Sequence, residues 1–337
     1  MESGWKERID NTKWILTLLI VLYHIQLPGS AEGLTADIFM YIKNLGDCVV
    51  PAFALISGYL FFYNADSFAS VKAKMYRRIW TLLIPYLAWN LLNSLYLIVR
   101  NNGVRGFFGG LLTFNWYRHC ILWDASPHFW YIFMLMFWTV LAPALYILIK
   151  DKRLIWILFL TQIVYLIYKG PDILHSRFIY ILYTWGGIVG YYLPNLAEKF
   201  SGFNVGNKRK TVLLMSGAMY FAVRFMYMNI ESMNVLVWCY ALRAVILIVF
   251  LMSLPIGWVG VKTQFAYSFW LFAIHYYLDA IVEGYLSSRL PILISQISSW
   301  GVVVCVGLAS GVLVHRFLPY LFMVFTGKRK IRESVMI

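Results

Sequence analysis

Lys13 and His24 stand eleven positions apart in the first apolar stretch of the chain, and Asp10 and Thr17 join them on one narrow stripe of a helix turning about 100° per residue. At a rise of about 1.5 Å per residue the imidazole lies roughly 16 Å beyond the ammonium. With Lys13 at a membrane surface, that is about half way through a ~30 Å hydrocarbon core. Histidine is the side chain best suited to take and return a proton near neutral pH, and an ionisable group at such depth must face protein or water. Two readings stand for His24: a base that does chemistry, or a ring satisfied structurally by a neighbouring helix. Sharing a stripe with Asp10 and Lys13 favours chemistry.

Lys74, Arg77 and Arg78 form a second cluster, leading into an apolar run that contains Thr81, Pro85 and Tyr86. Three cations at one mouth suit a phosphorylated ligand, although the excess of basic residues in cytoplasmic loops accounts for them without any ligand. A third group, Ser268, His275 and Asp279, shares a helical face, with Glu283 one turn further out. It reads either as a polar lining near the outer mouth or as a helix end meeting water. Arg224, Arg243 and Arg316 lie inside or at the edges of apolar runs and require partners. No Gly-rich phosphate loop, His-Glu-x-x-His or Gly-x-Ser-x-Gly motif occurs, which argues against zinc and serine-nucleophile chemistry. Cys48, Cys120, Cys239 and Cys305 are too far apart for a metal or redox motif.

The elements that must hold these residues are membrane helices. Of the 337 residues 61% are hydrophobic and 13% charged, against an ordinary charged share of about 25%. About ten apolar runs are predicted to span the bilayer, near residues 10–27, 42–63, 79–99, 128–149, 154–168, 178–194, 211–229, 236–255, 264–286 and 300–325. The fold class expected is an all-α integral membrane bundle forming one domain over 1–337, with a short basic tail from about 327. Clusters at Lys72 to Arg78, Lys150 to Arg153, Lys199 to Lys210 and Lys328 to Arg332 fall on one side, which puts both termini in the cytoplasm. The net charge of +14 is thus a matter of topology, since no basic stripe for nucleic acid is present. The n-region balances Lys6, Arg8 and Lys13 against Glu2, Glu7 and Asp10, so the first run is expected to be a retained anchor and not a signal peptide. Residues 101–127, rich in glycine and aromatics, read as a re-entrant or interfacial segment; either an interface belt or an aromatic platform for a sugar would use them.

In order along the chain, several stretches resemble the membrane acyltransferase family 3, bacterial proteins that acylate extracytoplasmic acceptors. They are Lys13 to His24; Pro51 to Tyr59 with its Ser57-Gly58-Tyr59; the basic run ending at Arg78 before Pro85-Tyr86; His128-Phe129-Trp130-Tyr131; and Ser268-Phe269 to His275. The resemblance implies about ten core helices, His24 as the catalytic residue, and Lys13, Arg77 and Arg78, with Lys74, near the acyl donor. Asp10, Ser57, Trp130 and His275 would support or orient these groups. It further implies acetyl-CoA or another acyl-CoA as co-substrate, no permanently bound cofactor or metal, a surface or lipid-linked carbohydrate acceptor, and the bacterial inner membrane. Lys13 stands where the family often has Arg, and Thr81 where many members carry a second Arg. His24 would act as general base on the acceptor hydroxyl or carry the acyl group itself. A multi-pass transporter or flippase using His24, Arg224, Arg243 and Arg316 is the competing class, and a membrane assembly or sensor protein a third.

Overall fold

A computed structural model of the chain describes residues 3–26, 32–103, 105–122, 125–169, 177–203, 206–229, 233–255 and 264–327. Its helices in chain order are α1 (Ser3–His24), α2 (Leu34–Lys43), α3 (Val49–Phe62), α4 (Phe68–Arg78), α5 (Ile84–Asn102), α6 (Phe107–Thr113), α7 (Trp130–Lys150), α8 (Lys152–Lys169), α9 (Arg177–Tyr192), α10 (Leu196–Phe203), α11 (Gly206–Asn229), α12 (Met233–Ser253), α13 (Gln264–Leu286), α14 (Ile292–Phe317) and α15 (Pro319–Thr326). No strand occurs among the described residues. Four stretches there, Leu34–Phe62, Phe68–Asn102, Pro127–Lys150 and Ile292–Phe317, are long and apolar enough to cross a membrane. Exposed Trp156, Ile157, Leu160 and Val164 line α8, the surface expected of a helix that meets lipid.

Each predicted apolar run lies on a helix, with two interruptions. The last, expected over 300–325, begins at Ile292 and breaks at Leu318, whose backbone (φ −135°, ψ 59°) leaves the helix because Pro319 follows it. The run expected over 42–63 belongs to a stretch that starts at Leu34 and is interrupted by a tight turn at Asn44–Gly46. Residues 101–127 contain α6 and a wide turn at Tyr117–Ile121, where Phe114 stacks on His119 (4.4 Å) and meets Trp116 (5.0 Å). Those rings face each other, while Phe108, Leu112 and Tyr117 are exposed, which suits an interfacial belt better than an open platform. Trp123 and Asp124 of that segment lie outside the described residues, as do the basic tail residues Lys328, Arg329, Lys330 and Arg332.

The interruption between α2 and α3 strands backbone carbonyls in an apolar medium, where each must find a donor. Long side chains from α11 and α12 supply them. Arg224 donates to the carbonyls of Asn44 and Tyr41, Tyr220 to that of Leu45 (2.7 Å) and Tyr240 to that of Asp47 (2.6 Å). Arg243, fully buried, forks onto both carboxylate oxygens of Asp47 at 2.6 and 2.9 Å. The arginines that the sequence leaves without partners thus serve a helix break, apart from Arg316, which ends α14 near the Phe317 ring.

α3 and α9 approach so closely that side chains are excluded from the seam. A Cβ on Gly186 would lie 2.1 Å from the Leu55 carbonyl oxygen, and one on Gly58 2.0 Å from that of Tyr183. Small residues allow this packing in membranes, where no hydrophobic force drives helices together. Gly186 and Gly190 stand four apart on α9, so one stripe faces α3 along a full turn. α1 enters this frame beside α12, α13 and α14. Arg8 donates to the carbonyls of Met252 (2.9 Å) and Leu254 (3.2 Å), and Trp300 to that of Leu18 (3.0 Å).

Breaking one side of the Arg243–Asp47 pair is expected to destabilise the protein by about 3–5 kcal/mol, because it leaves a buried charge uncompensated. Arg243→Leu should therefore lower the thermal midpoint of the detergent-solubilised protein, and Asp47→Leu in the same chain should restore part of the loss. A double variant no more stable than Arg243→Leu would contradict the pairing.

Candidate functional site

On one side of α1, a cavity of about 280 Å³ is lined by residues from α1, α3, α7 and α13 together with the α4–α5 junction. Lys13, Thr17 and Ile20 contribute three successive turns of α1, and Ser57, Arg78, Tyr131, Ser268 and Phe272 face them. Lys13 and Thr17 belong to the polar stripe read from the sequence, and Ile20 is the apolar residue on the same face before His24. Arg78, the last residue of α4, lines the cavity just before the helix widens over Ile79–Leu83 into a π turn. Pro85, which lacks an N–H, removes the bond that would otherwise return to the Thr81 carbonyl. Thr81 itself turns back, its hydroxyl donating to the Arg77 carbonyl at 3.1 Å. A second cavity of about 340 Å³, lined by Ile9, Leu55, Tyr59 and other apolar groups, lies across α1 and α3 and has no polar atom to orient a reactant.

The charged end of the first cavity holds Lys13 and Arg78. Lys13 pairs with Asp10 at 3.1 Å, one turn earlier on α1, and the Arg78 guanidinium lies 5.7 Å from the centre of the Phe61 ring. Two cations in one lining suit an anion, and the Arg fork adds bidentate reach. Ser57 and Tyr131 share a hydrogen bond of 3.3 Å across the cavity. The other candidates are not brought there. Arg77 is exposed, and Lys74 donates to the carbonyls of Phe61 (2.9 Å) and Tyr63, so it closes the end of α3. Trp130 packs against Tyr131, its neighbour, and it is Tyr131 that faces the cavity.

His24 is the last residue of α1, one turn beyond Ile20. Its Nδ1 lies 2.9 Å from the Ile20 carbonyl oxygen, which can only accept, so Nδ1 carries the hydrogen and Nε2 keeps a free lone pair. His275 is held the same way, its Nδ1 donating to the Phe272 carbonyl at 2.7 Å, and the two rings meet edge to face with centres 5.0 Å apart. A third histidine, His128, donates from Nε2 to the Ala273 carbonyl (3.1 Å) and lies 5.1 Å from the His275 ring. Spacing along the chain gives no sign of this trio, because 128 and 275 meet only when the turn at Pro127–Phe129 docks on α13. Phe272 lines the cavity and also packs on His128 (5.5 Å) and His275 (5.8 Å), so it forms the wall between the charged cavity and the histidines. No cluster of three or more His, Cys, Asp or Glu side chains among the described residues has the geometry to hold a metal.

The described residues thus combine helices long and apolar enough to cross a bilayer with a cavity whose lining includes Lys13 and Arg78 and three histidines packed beyond it. The chain belongs to acyltransferase family 3: the family's acyltransferase domain matches residues 6–316, which run from the fourth residue of α1 to the last but one of α14. It is an acyltransferase of the O-acyltransferase type. No curated protein and no solved structure is significantly similar to the chain.

A cysteine replacing Ser57, with the four native cysteines replaced, reports on the cavity's charge. An anionic thiol reagent should label it about tenfold faster than a cationic one of equal size, because Lys13 and Arg78 bias the local ion concentration. Changing both cations to Gln should remove the difference; equal rates in the unaltered background would contradict a cationic cavity.

Proposed function

We propose that the protein transfers an acyl group, acetyl in the first instance, from a cytoplasmic acyl-CoA to a hydroxyl of an extracytoplasmic or lipid-linked glycan in the bacterial inner membrane. In this reading about ten helices span the bilayer, both termini are cytoplasmic, and no cofactor or metal takes part. The observation that carries it is the run of α1: Lys13 on the cationic end of the cavity, and His24, with a free Nε2, one turn beyond its far wall.

The donor's phosphates would meet Lys13 and Arg78, with exposed Arg77 beside Arg78 and outside the cavity, and the thioester would extend along α1 past Ile20 to the His24 ring. His24 Nε2 accepts the proton of the acceptor hydroxyl as its oxygen attacks the thioester carbon. The carbon–sulfur bond then breaks, and the same proton passes to the departing thiolate, so the products are an ester and CoA thiol and no proton is gained or lost. His275, held 5.0 Å away, fixes the orientation of the His24 ring. Asp10 holds Lys13 in place, and Ser57 through Tyr131 shapes the middle of the cavity. A solute path through Arg224 and Arg243 finds less support, since both are engaged at the α2–α3 break.

Purified protein in nanodiscs with radiolabelled acetyl-CoA tests the mechanism. His24→Ala should lower thioester turnover by about 10²- to 10⁴-fold with donor binding kept, whereas Arg78→Gln should weaken donor binding first. Wild-type turnover by His24→Ala would overturn the role of His24, and stable label on the protein would mean an acyl-histidine in place of a base.

A further inference from the structure

Beyond the histidines, toward the end of α1, the interface of α13 and α14 buries polar side chains with no partner among the described residues. Asp279 is 4% exposed and neither carboxyl oxygen is hydrogen-bonded; Gln296, fully buried, leaves both amide atoms unpaired, and the hydroxyls of Ser295 and Ser299 are unpaired too. The helices run antiparallel. Gly311 lies against Tyr267 and Trp270, and Gly307 against Leu271, Ile274 and Leu278. Continuing that register two turns sets Ser299 level with Asp279, and Gln296 one turn further out, on the buried stripe that includes Val303, Gly307 and Gly311. On α13, Asp279 follows His275 by one turn, and Glu283 follows by another, where its Oε2 accepts the Gln26 backbone N–H at 3.3 Å. The polar group therefore adjoins the end of α1 that carries His24.

Buried polar atoms in native proteins are satisfied, and in an apolar helix interface such a concentration calls for a guest that both donates and accepts. A cation offers no lone pair to the Gln296 amide nitrogen, and an anion offers no donor to Asp279. Water does both one molecule at a time, and an alcohol with several closely spaced hydroxyls does both while taking the place of several waters at once. Asp279 lies about one helical turn, roughly 5.4 Å, beyond His275 along α13, a span that a single sugar ring bridges. We propose that Asp279, Gln296, Ser295 and Ser299 form the subsite that holds the neighbouring hydroxyls of a polyhydroxylated acceptor while one hydroxyl is presented to His24. The proposal deepens the acyltransferase reading and rests on it for the reaction, but sugar binding can be measured without turnover.

The probe is radiolabelled methyl glucoside, bound to purified full-length protein in nanodiscs by equilibrium dialysis. Wild type is expected to bind it, and Asp279→Asn and Gln296→Leu to bind it about tenfold or more weakly. Ser299→Ala, a smaller change, guards against a variant that fails to fold, and size-exclusion profiles and thermal midpoints accompany each. No binding by well-folded wild type overturns the subsite. So does unchanged binding in Gln296→Leu and Ser299→Ala with raised midpoints, since that is the signature of polar groups that were merely unpaired. Acetyl-CoA turnover, read separately on the same proteins, reports the fate of the acyltransferase reading: sugar binding without turnover would leave the subsite standing and remove the reaction.

Discussion

A main-chain carbonyl stranded in an apolar interior has to find a donor, and much of this molecule is arranged around that requirement. The turn between α2 and α3 frees several at once; Arg224, Tyr220 and Tyr240 donate to them from α11 and α12, and Arg243 reaches the Asn44 carbonyl while it pairs with the Asp47 carboxylate. The same solution recurs elsewhere. Trp89 donates to the Phe325 carbonyl (2.9 Å), Tyr59 to that of Pro194 (2.6 Å) and Tyr192 to that of Ile149 (2.7 Å), in each case where a helix ends or a chain turns. Aromatic residues with a polar tip suit the task because the body of the ring packs with the neighbouring helices while the hydroxyl or N–H serves the backbone.

That frame explains why the Ser57-Gly58-Tyr59 triplet reads as a motif. Successive residues of a helix point about 100° apart, so three neighbours address three different surroundings. Ser57 faces the cavity, Gly58 lets the Tyr183 backbone come close, and Tyr59 secures the chain beyond α9. Only the first lines the charged cavity; the other two hold α3 in place beside it. The histidines make the same point from another side. Each of His24, His128 and His275 gives its N–H to a carbonyl of the backbone, so the tautomers are set locally and the remaining nitrogens are left for other work.

Much of the fold was legible because apolar length and helical period are local properties. Of the stripe of Asp10, Lys13, Thr17 and His24, Lys13 and Thr17 line the cavity while Asp10 pairs with Lys13 and His24 lies one turn past Ile20, since residues on one helix keep their relative angles whatever surrounds them. The basic run was read less well. Lys74, Arg77 and Arg78 look equivalent in sequence, yet one ties down α3, one is exposed and one lines the cavity. Which way each points round α4, and which neighbour it meets there, makes that distinction, and neither has a signature as strong as a charge. Asp279 was similarly ambiguous: a helix end meeting water and a buried carboxyl have the same spacing from His275, and burial separates them.

What the sequence by itself determined is the class of molecule, the helices and the family, because hydrophobic length, periodicity and ordered short motifs are written along the chain. Tertiary structure alone decided that Arg243 belongs to Asp47, that His128 joins His275, and that Phe272 stands between the charged cavity and the histidines. Those contacts link residues more than a hundred positions apart in the first two cases, and they depend on how helices cross. Crossing is set by the summed packing of many small contacts and close glycine approaches such as that of α3 on α9, which no single stretch of sequence contains.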